Sequence, residues 1–385
     1  MIASGLVGAA IALPWLILLP IGGIAGVIAA AITLVAAFHG AGLVVARLAR
    51  TGGGDGARVA SPWLIIQWGV ATVIALSGLA IALGAGTLVT HAVLVFGFAA
   101  VHTVALGLRF ARDTARIAEG LAGPRTWLIP AALLAALGAI AILGAAGEPL
   151  ARPFDDDGHV VAQLRRVLET GALGDSIGYP RNWQLGAQLA LTAIASAAGE
   201  GIARVVEPLA LVLALGLAGS RIGARDPSSA LWATTLIVTA FALALAPSEP
   251  LPCWTAVGLA VALYTMLSDR EPAPALPLAV TAGALLALRY ELAPVAAVAV
   301  IAAWWRRRGD HLHTAMLIGG MFAVAFPFLV ARMLAWRSVP ELANTALAAP
   351  SLPALGLRVL LAAAIAAPGA YVLRLIVPEI GRAHV

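Results

Sequence analysis

The chain has 385 residues, of which 61% are apolar and only 11% charged, and it carries a formal net charge of +5. That is too little polar surface to cover a soluble globule of this size, so the solvent for most of the chain is lipid. The basic residues form no single face or tract and sit instead at the ends of apolar runs, which is a topology signal and excludes nucleic acid as a partner.

Cys253 is the only cysteine, which excludes a disulfide framework and a cysteine metal site. Every one of the 24 basic residues is arginine, and with the abundance of alanine and glycine this points to a GC-rich, bacterial genome. The expected location is therefore the inner (plasma) membrane, crossed many times. Runs of about 20 residues, apolar on both parities, predict membrane helices rather than the alternating strands of a β-barrel. The expected fold is all-α: a polytopic transmembrane helical bundle of about twelve or thirteen membrane helices.

In chain order, residues 1–120 predict a four-helix N-terminal extension with runs at Ile2–Leu19, Gly22–Ala46, Trp63–Leu83 and Leu88–Leu108. The first run lacks a basic lead-in and a cleavage site, so it reads as a retained helix. Arg47, Arg50 and Arg58, then Arg109, Arg112, Arg116 and Arg125, mark cytoplasmic links. His39, His91 and His102 lie inside these helices with no carboxylate beside them, and the expectation is hydrogen-bonded packing residues rather than ligands.

Residues 121–378 predict a core. Its fifth run, Leu128–Leu143, leads into the one long polar segment, the outer loop 147–183. A polar loop of this length between packed helices predicts function. Within it, Val160, Val161, Leu164, Val167 and Leu168 fall on one side of a helix, and Gln163, Arg165, Arg166 and Glu169 on the other. That pattern predicts a short amphipathic interfacial helix over Asp157–Thr170, with carboxylates at its N-terminus and Gly171 as its stop.

Asp155, Asp156 and Asp157 repel one another, which favours a proton or a divalent metal among them. The alternative is a solvated, helix-capping acidic turn. His159 follows, and Arg181 at the loop exit is placed to reach a phosphate. Further runs at Gln184–Ala198, Val205–Ala218, Leu231–Ala246, Cys253–Leu267, Leu276–Leu288, Ala293–Trp305, Thr314–Ala335 and Leu355–Leu375 complete the bundle. Glu249, in Pro-Ser-Glu-Pro, lies between two helix ends, while Arg289 and Glu291 interrupt an otherwise apolar stretch as an ion pair.

Two counts of the crossings disagree. Counting from the N-terminus puts the acidic loop outside. Counting back from the cytoplasmic Arg306–Arg308 puts it inside, so a run between Gln184 and Trp305 is re-entrant or broken, or a cytoplasmic assignment fails. Residues 379–385, Glu-Ile-Gly-Arg-Ala-His-Val, look like a translated sequencing adapter, and the expectation is a non-native tail with the natural chain running on past Pro378.

Several pieces in order carry a resemblance: the acids Asp155, Asp156 and Asp157 opening the loop, the amphipathic segment ending Leu-Glu-Thr-Gly, Tyr179-Pro180, Pro-Ser-Glu-Pro, and Leu-Arg-Tyr-Glu followed by an apolar run and three arginines. Leu128 through Arg308 resembles the core of the GT-C superfamily of polytopic glycosyltransferases, which includes protein mannosyltransferases and bacterial lipid A aminoarabinose transferases. The resemblance implies transfer of a sugar from a polyprenyl-phosphate donor to a lipid, glycan or protein acceptor at the outer membrane face. One of Asp155, Asp156 or Asp157 would be the general base. Arginines would hold the carrier phosphate, and His159, Arg181, Glu249, Arg289 and Glu291 would be substrate contacts. The four helices before the core depart from the pattern of many relatives. The alternatives are a polytopic transporter, which predicts a repeat between halves that the sequence lacks, and a non-catalytic cell-envelope membrane protein.

Overall fold

A computed structural model describes residues 23–51, 60–120, 128–147, 157–172, 186–199, 202–222, 233–238, 240, 253–269, 273–307 and 310–337. The expected runs Ile2–Leu19 and Leu355–Leu375, and most of Leu231–Ala246, lie outside the described residues.

The described chain is helical and holds no strand. In order the helices are α1 (Ile24–Thr51), α2 (Pro62–Ala82), α3 (Leu88–Gly120), α4 (Leu128–Gly147), α5 (Asp157–Thr170), α6 (Ala187–Ala198), α7 (Val206–Ile222), α8 (Cys253–Ser268), α9 (Ala275–Leu288), α10 (Ala293–Arg306) and α11 (His311–Arg337). Short 3-10 turns at Ile202–Val205 and Tyr290–Leu292 lead into α7 and α10. Among the described residues six helices are long and apolar enough to cross a membrane: α1, α2, α3, α4, α7 with its preceding turn, and α11. α6, α8, α9 and α10 are apolar but shorter.

The outside of the bundle is as apolar as its inside. Val89, Val93, Val101, Val104 and Leu108 are exposed along one face of α3, and Leu312, Met316, Phe322, Phe326 and Leu329 along α11. Such continuous apolar stripes are tolerated where lipid, not water, is the neighbour. The chain is thus an integral, polytopic helical membrane protein.

Because lipid removes the hydrophobic drive between helices, close approach of backbones has to supply the packing. At the α1/α2 crossing the sites are Gly42, facing the Ile65 carbonyl, and Gly69, facing the Phe38 carbonyl, where an added Cβ would fall on the neighbouring backbone. Gly40 does the same against Phe98 of α3. α1, α2 and α3 therefore form a tight unit, and α2 continues the core into α9 and α11, where Phe328 lies against Gly78.

Direct contacts fix which helix ends lie together. Arg221 at the end of α7 pairs with Asp269 after α8 at 2.8 Å. Arg306 at the end of α10 donates to the carbonyls of Leu267 and Asp269. Arg307 pairs with Asp310 at 3.5 Å, and Asp310 caps α11 by accepting from the backbone N–H of His313 at 2.9 Å. That bond chiefly holds the Asp310 carboxyl below the usual range. Trp63 lies against Gly216, so the start of α2 belongs to this arginine-rich end. At the opposite end the Gly86 N–H, in the α2–α3 link, donates to the Gly171 carbonyl at 2.7 Å, which places the C-terminus of α5 there.

α5 is the amphipathic helix the loop sequence predicts. Leu164 and Val167 are buried, Arg165, Arg166 and Glu169 are exposed, and Gly171 ends it at φ +78°.

The conflict between the two crossing counts is resolved by α6. Gln188, at its start, hydrogen-bonds the side chain of Glu207, in the first turn of α7. The chain from 188 to 207 thus leaves and returns to one level, and α6, only 12 residues long, turns back instead of crossing. It is nonetheless buried on nearly all sides, with Ala187, Ala190, Ala193, Ile194 and Ala195 fully enclosed. With α6 re-entrant, both counts put the acidic loop opposite the arginine-rich end.

Two expectations follow. Gly69→Ala should cost at least about 1–3 kcal/mol by overpacking, read as a lower melting temperature in detergent. Gly97→Ala, where a Cβ meets nothing, should be silent. With Cys253 replaced by Ser, an impermeant maleimide applied to sealed vesicles of one orientation should label only one of Thr170→Cys and Asp310→Cys, and the other only after permeabilisation. Labelling of both from one side would mean that α6 crosses.

Candidate functional site

The end opposite the arginines holds those candidate site residues that fall among the described ones. Asp157 opens α5 and His159 lies in its first turn. Asp155, Asp156, Arg181 and Glu249 lie outside the described residues.

Arg289 and Glu291 lie between α9 and α10, in the gap left by the runs Leu276–Leu288 and Ala293–Trp305. α9 stops at Leu288, Arg289 is extended (φ −152°, ψ 132°), and a 3-10 turn starts α10. The pair therefore lies at a helix break at the outer end, with 3.5 Å between Arg289 Nη1 and Glu291 Oε2 and side-chain exposures of 27% and 48%. Partial exposure lowers the cost of holding both charges. Arg289 Nε is buried and has no partner among the described residues.

A second polar group, absent from the sequence analysis, lies where α6, α7 and α8 meet. Glu207 Oε2 accepts from the backbone N–H groups of Trp254 (2.7 Å) and Thr255 (3.3 Å), and Oε1 accepts from the Thr255 hydroxyl (2.6 Å). A carboxylate of α7 thereby caps the N-terminus of α8, and Gln188 joins from the first turn of α6. Three helix N-termini meet at one carboxyl group. The signal was present in Val-Glu-Pro at the head of an apolar run, since an ionisable residue entering a membrane helix is a site candidate by default.

The histidines divide in two ways. His91 Nδ1 donates to the Thr87 carbonyl at 2.9 Å, so its Nε2, 2.7 Å from Ser77 Oγ, accepts the serine hydroxyl. This is the hydrogen-bonded packing role expected of it. His39 and His102, expected to be isolated, meet across α1 and α3 with Nδ1 atoms 2.9 Å apart and rings nearly perpendicular at 86°. One donates and the other accepts, so the two rings hold opposite tautomers at Nδ1. Among the described residues no three His, Cys, Asp or Glu side chains gather as a metal site.

No protein-family model matches the chain, and neither does any curated protein or solved structure.

Glu207→Ala leaves two backbone donors, the Thr255 hydroxyl and the Gln188 amide without their acceptor, and should cost at least about 1–3 kcal/mol. Glu207→Gln retains an acceptor oxygen and should cost less. Thermal unfolding in detergent reads the order.

Proposed function

We propose that the chain is a GT-C-type glycosyltransferase of the bacterial plasma membrane, moving a sugar from a polyprenyl-phosphate donor to an acceptor hydroxyl at the outer face. The observation that carries this reading is a shared location. The amphipathic α5 headed by Asp157 and the Arg289–Glu291 break both belong to the end opposite the arginine-rich links. A carboxylate run and a cation on the same membrane face are the two groups that transfer from a lipid phosphate needs.

In the reaction, an aspartate among Asp155, Asp156 and Asp157 takes the proton of the acceptor hydroxyl as its oxygen bonds to the anomeric carbon. The bond from that carbon to the phosphate oxygen breaks, and polyprenyl phosphate leaves with the negative charge. Arg289 and Arg181 stabilise that charge as it develops. α5, with an apolar face on the bundle and arginines outward, holds the acidic turn at the level of the headgroups, where a lipid carrier presents its phosphate.

Transfer from a polyprenyl-phosphate hexose in membranes, measured for Asp155→Asn, Asp156→Asn and Asp157→Asn singly, tests the reading. One variant should lose roughly 10²–10⁴-fold in rate while still inserting and still binding donor. Equal activity in all three would make the acidic turn a solvated cap and favour transport, which the re-entrant α6 suits.

A further inference from the structure

Gln188 presents an anomaly. Its side chain is 94% buried, at 6% relative exposure, and its amide nitrogen is engaged with Glu207, yet Oε1 is buried with no hydrogen-bond partner among the described residues. An unpaired buried acceptor costs about 1–3 kcal/mol. Such an atom persists where something else supplies the donor.

Its setting defines what that donor is. Gln188 lies in the first turn of α6, whose N-cap, Gly186 at φ +113°, supplies no side-chain cap. The N-termini of α7 and α8 adjoin it through Glu207, Trp254 and Thr255. Three positive helix ends already face the one carboxylate, and that carboxylate already accepts three bonds besides the one from Gln188. A bare cation is disfavoured by those dipoles, and an anion brings no donor for Oε1. A neutral hydroxyl fits both constraints. Gln188 also follows the outer loop by only five residues from Trp183, so the acceptor and the acidic turn belong to neighbouring stretches of chain.

Resting on the glycosyltransferase reading, we infer that Gln188 Oε1 accepts a hydroxyl of the transferred sugar, making the head of the re-entrant helix the sugar subsite. Gln188 is on this account a specificity residue that binds the donor without taking part in bond making.

The test uses the full chain in lipid nanodiscs, with a polyprenyl-phosphate hexose, its mono-deoxy analogues and bare polyprenyl phosphate as probes. Wild type should bind the sugar-bearing carrier more tightly than the bare one, and one deoxy position should lose roughly three- to tenfold, the worth of one buried hydrogen bond. Gln188→Met should lose the same factor in KM with kcat little changed, and should no longer respond to that deoxy position. Gln188→Met also removes the amide bond to Glu207 and lowers the melting temperature on either account, so the deciding result is parallel losses for every probe and every deoxy analogue, which overturns the inference. So does transfer by wild type with no position-specific loss, in which case Oε1 is served by solvent water alone. The ligand series needs only wild type, so a Gln188→Met variant that fails to fold does not block it. Absence of both transfer and carrier binding removes the glycosyltransferase reading, and this inference with it.

Discussion

Glu207 joins three helices through one carboxylate: it belongs to α7, it caps α8 through two backbone N–H groups and a hydroxyl, and it takes the amide of Gln188 from α6. In water such a cap is worth about 1 kcal/mol, because solvent serves the same donors when the cap is removed. Within a membrane bundle solvent is not there to replace it, and orphaned N–H groups become costly. The interaction fixes more than α8. It holds both ends of the 188–207 segment at one level, and so keeps α6 re-entrant. The order of every later crossing follows from that, including which end receives the acidic loop.

Packing around this junction depends on small residues. α6 reads Ala-Gln-Leu-Ala-Leu-Thr-Ala-Ile-Ala-Ser-Ala-Ala, and its alanines let α1, α2 and α3 approach from several sides. Thr192 and Ser196 bond back to the carbonyls of Gln188 and Thr192, so their hydroxyls are satisfied inside the helix. The same economy appears at Gly42 and Gly69, where backbone meets backbone. A helix that does not cross can be buried in a membrane protein only if its neighbours close over it in this way.

Much of this was legible in the residues. The helical class follows from run length and composition. α5 follows from Leu164 and Val167 against Arg165, Arg166 and Glu169, a period-3.6 signal strong enough to locate its stop at Gly171. The conflict in crossing count was also legible, and it pointed at the stretch that contains α6. What was not legible was which run turned back, because Gln184–Ala198 is as apolar as its neighbours and only a tertiary contact, Gln188 to Glu207, reveals its path. Pairing is hidden for the same reason. His39 and His102 are 63 positions apart, whereas the break between α9 and α10 was legible, since one apolar run ends at Leu288 and the next begins at Ala293.

The two ends of the bundle obey one electrostatic rule in opposite senses. At the arginine-rich end the C-termini of α7, α8 and α10 converge, and Arg221 and Arg306 donate to carbonyls or carboxylates of that group, so cations meet the negative ends of dipoles. At the outer end the N-termini of α6, α7 and α8 converge on Glu207. The inner arrangement engages its arginines in holding helices together. The outer one leaves an acceptor at Gln188 Oε1 and a donor at Arg289 Nε, both buried and without partners among the described residues. Polar atoms in that condition are where a molecule has bonding capacity to offer a ligand.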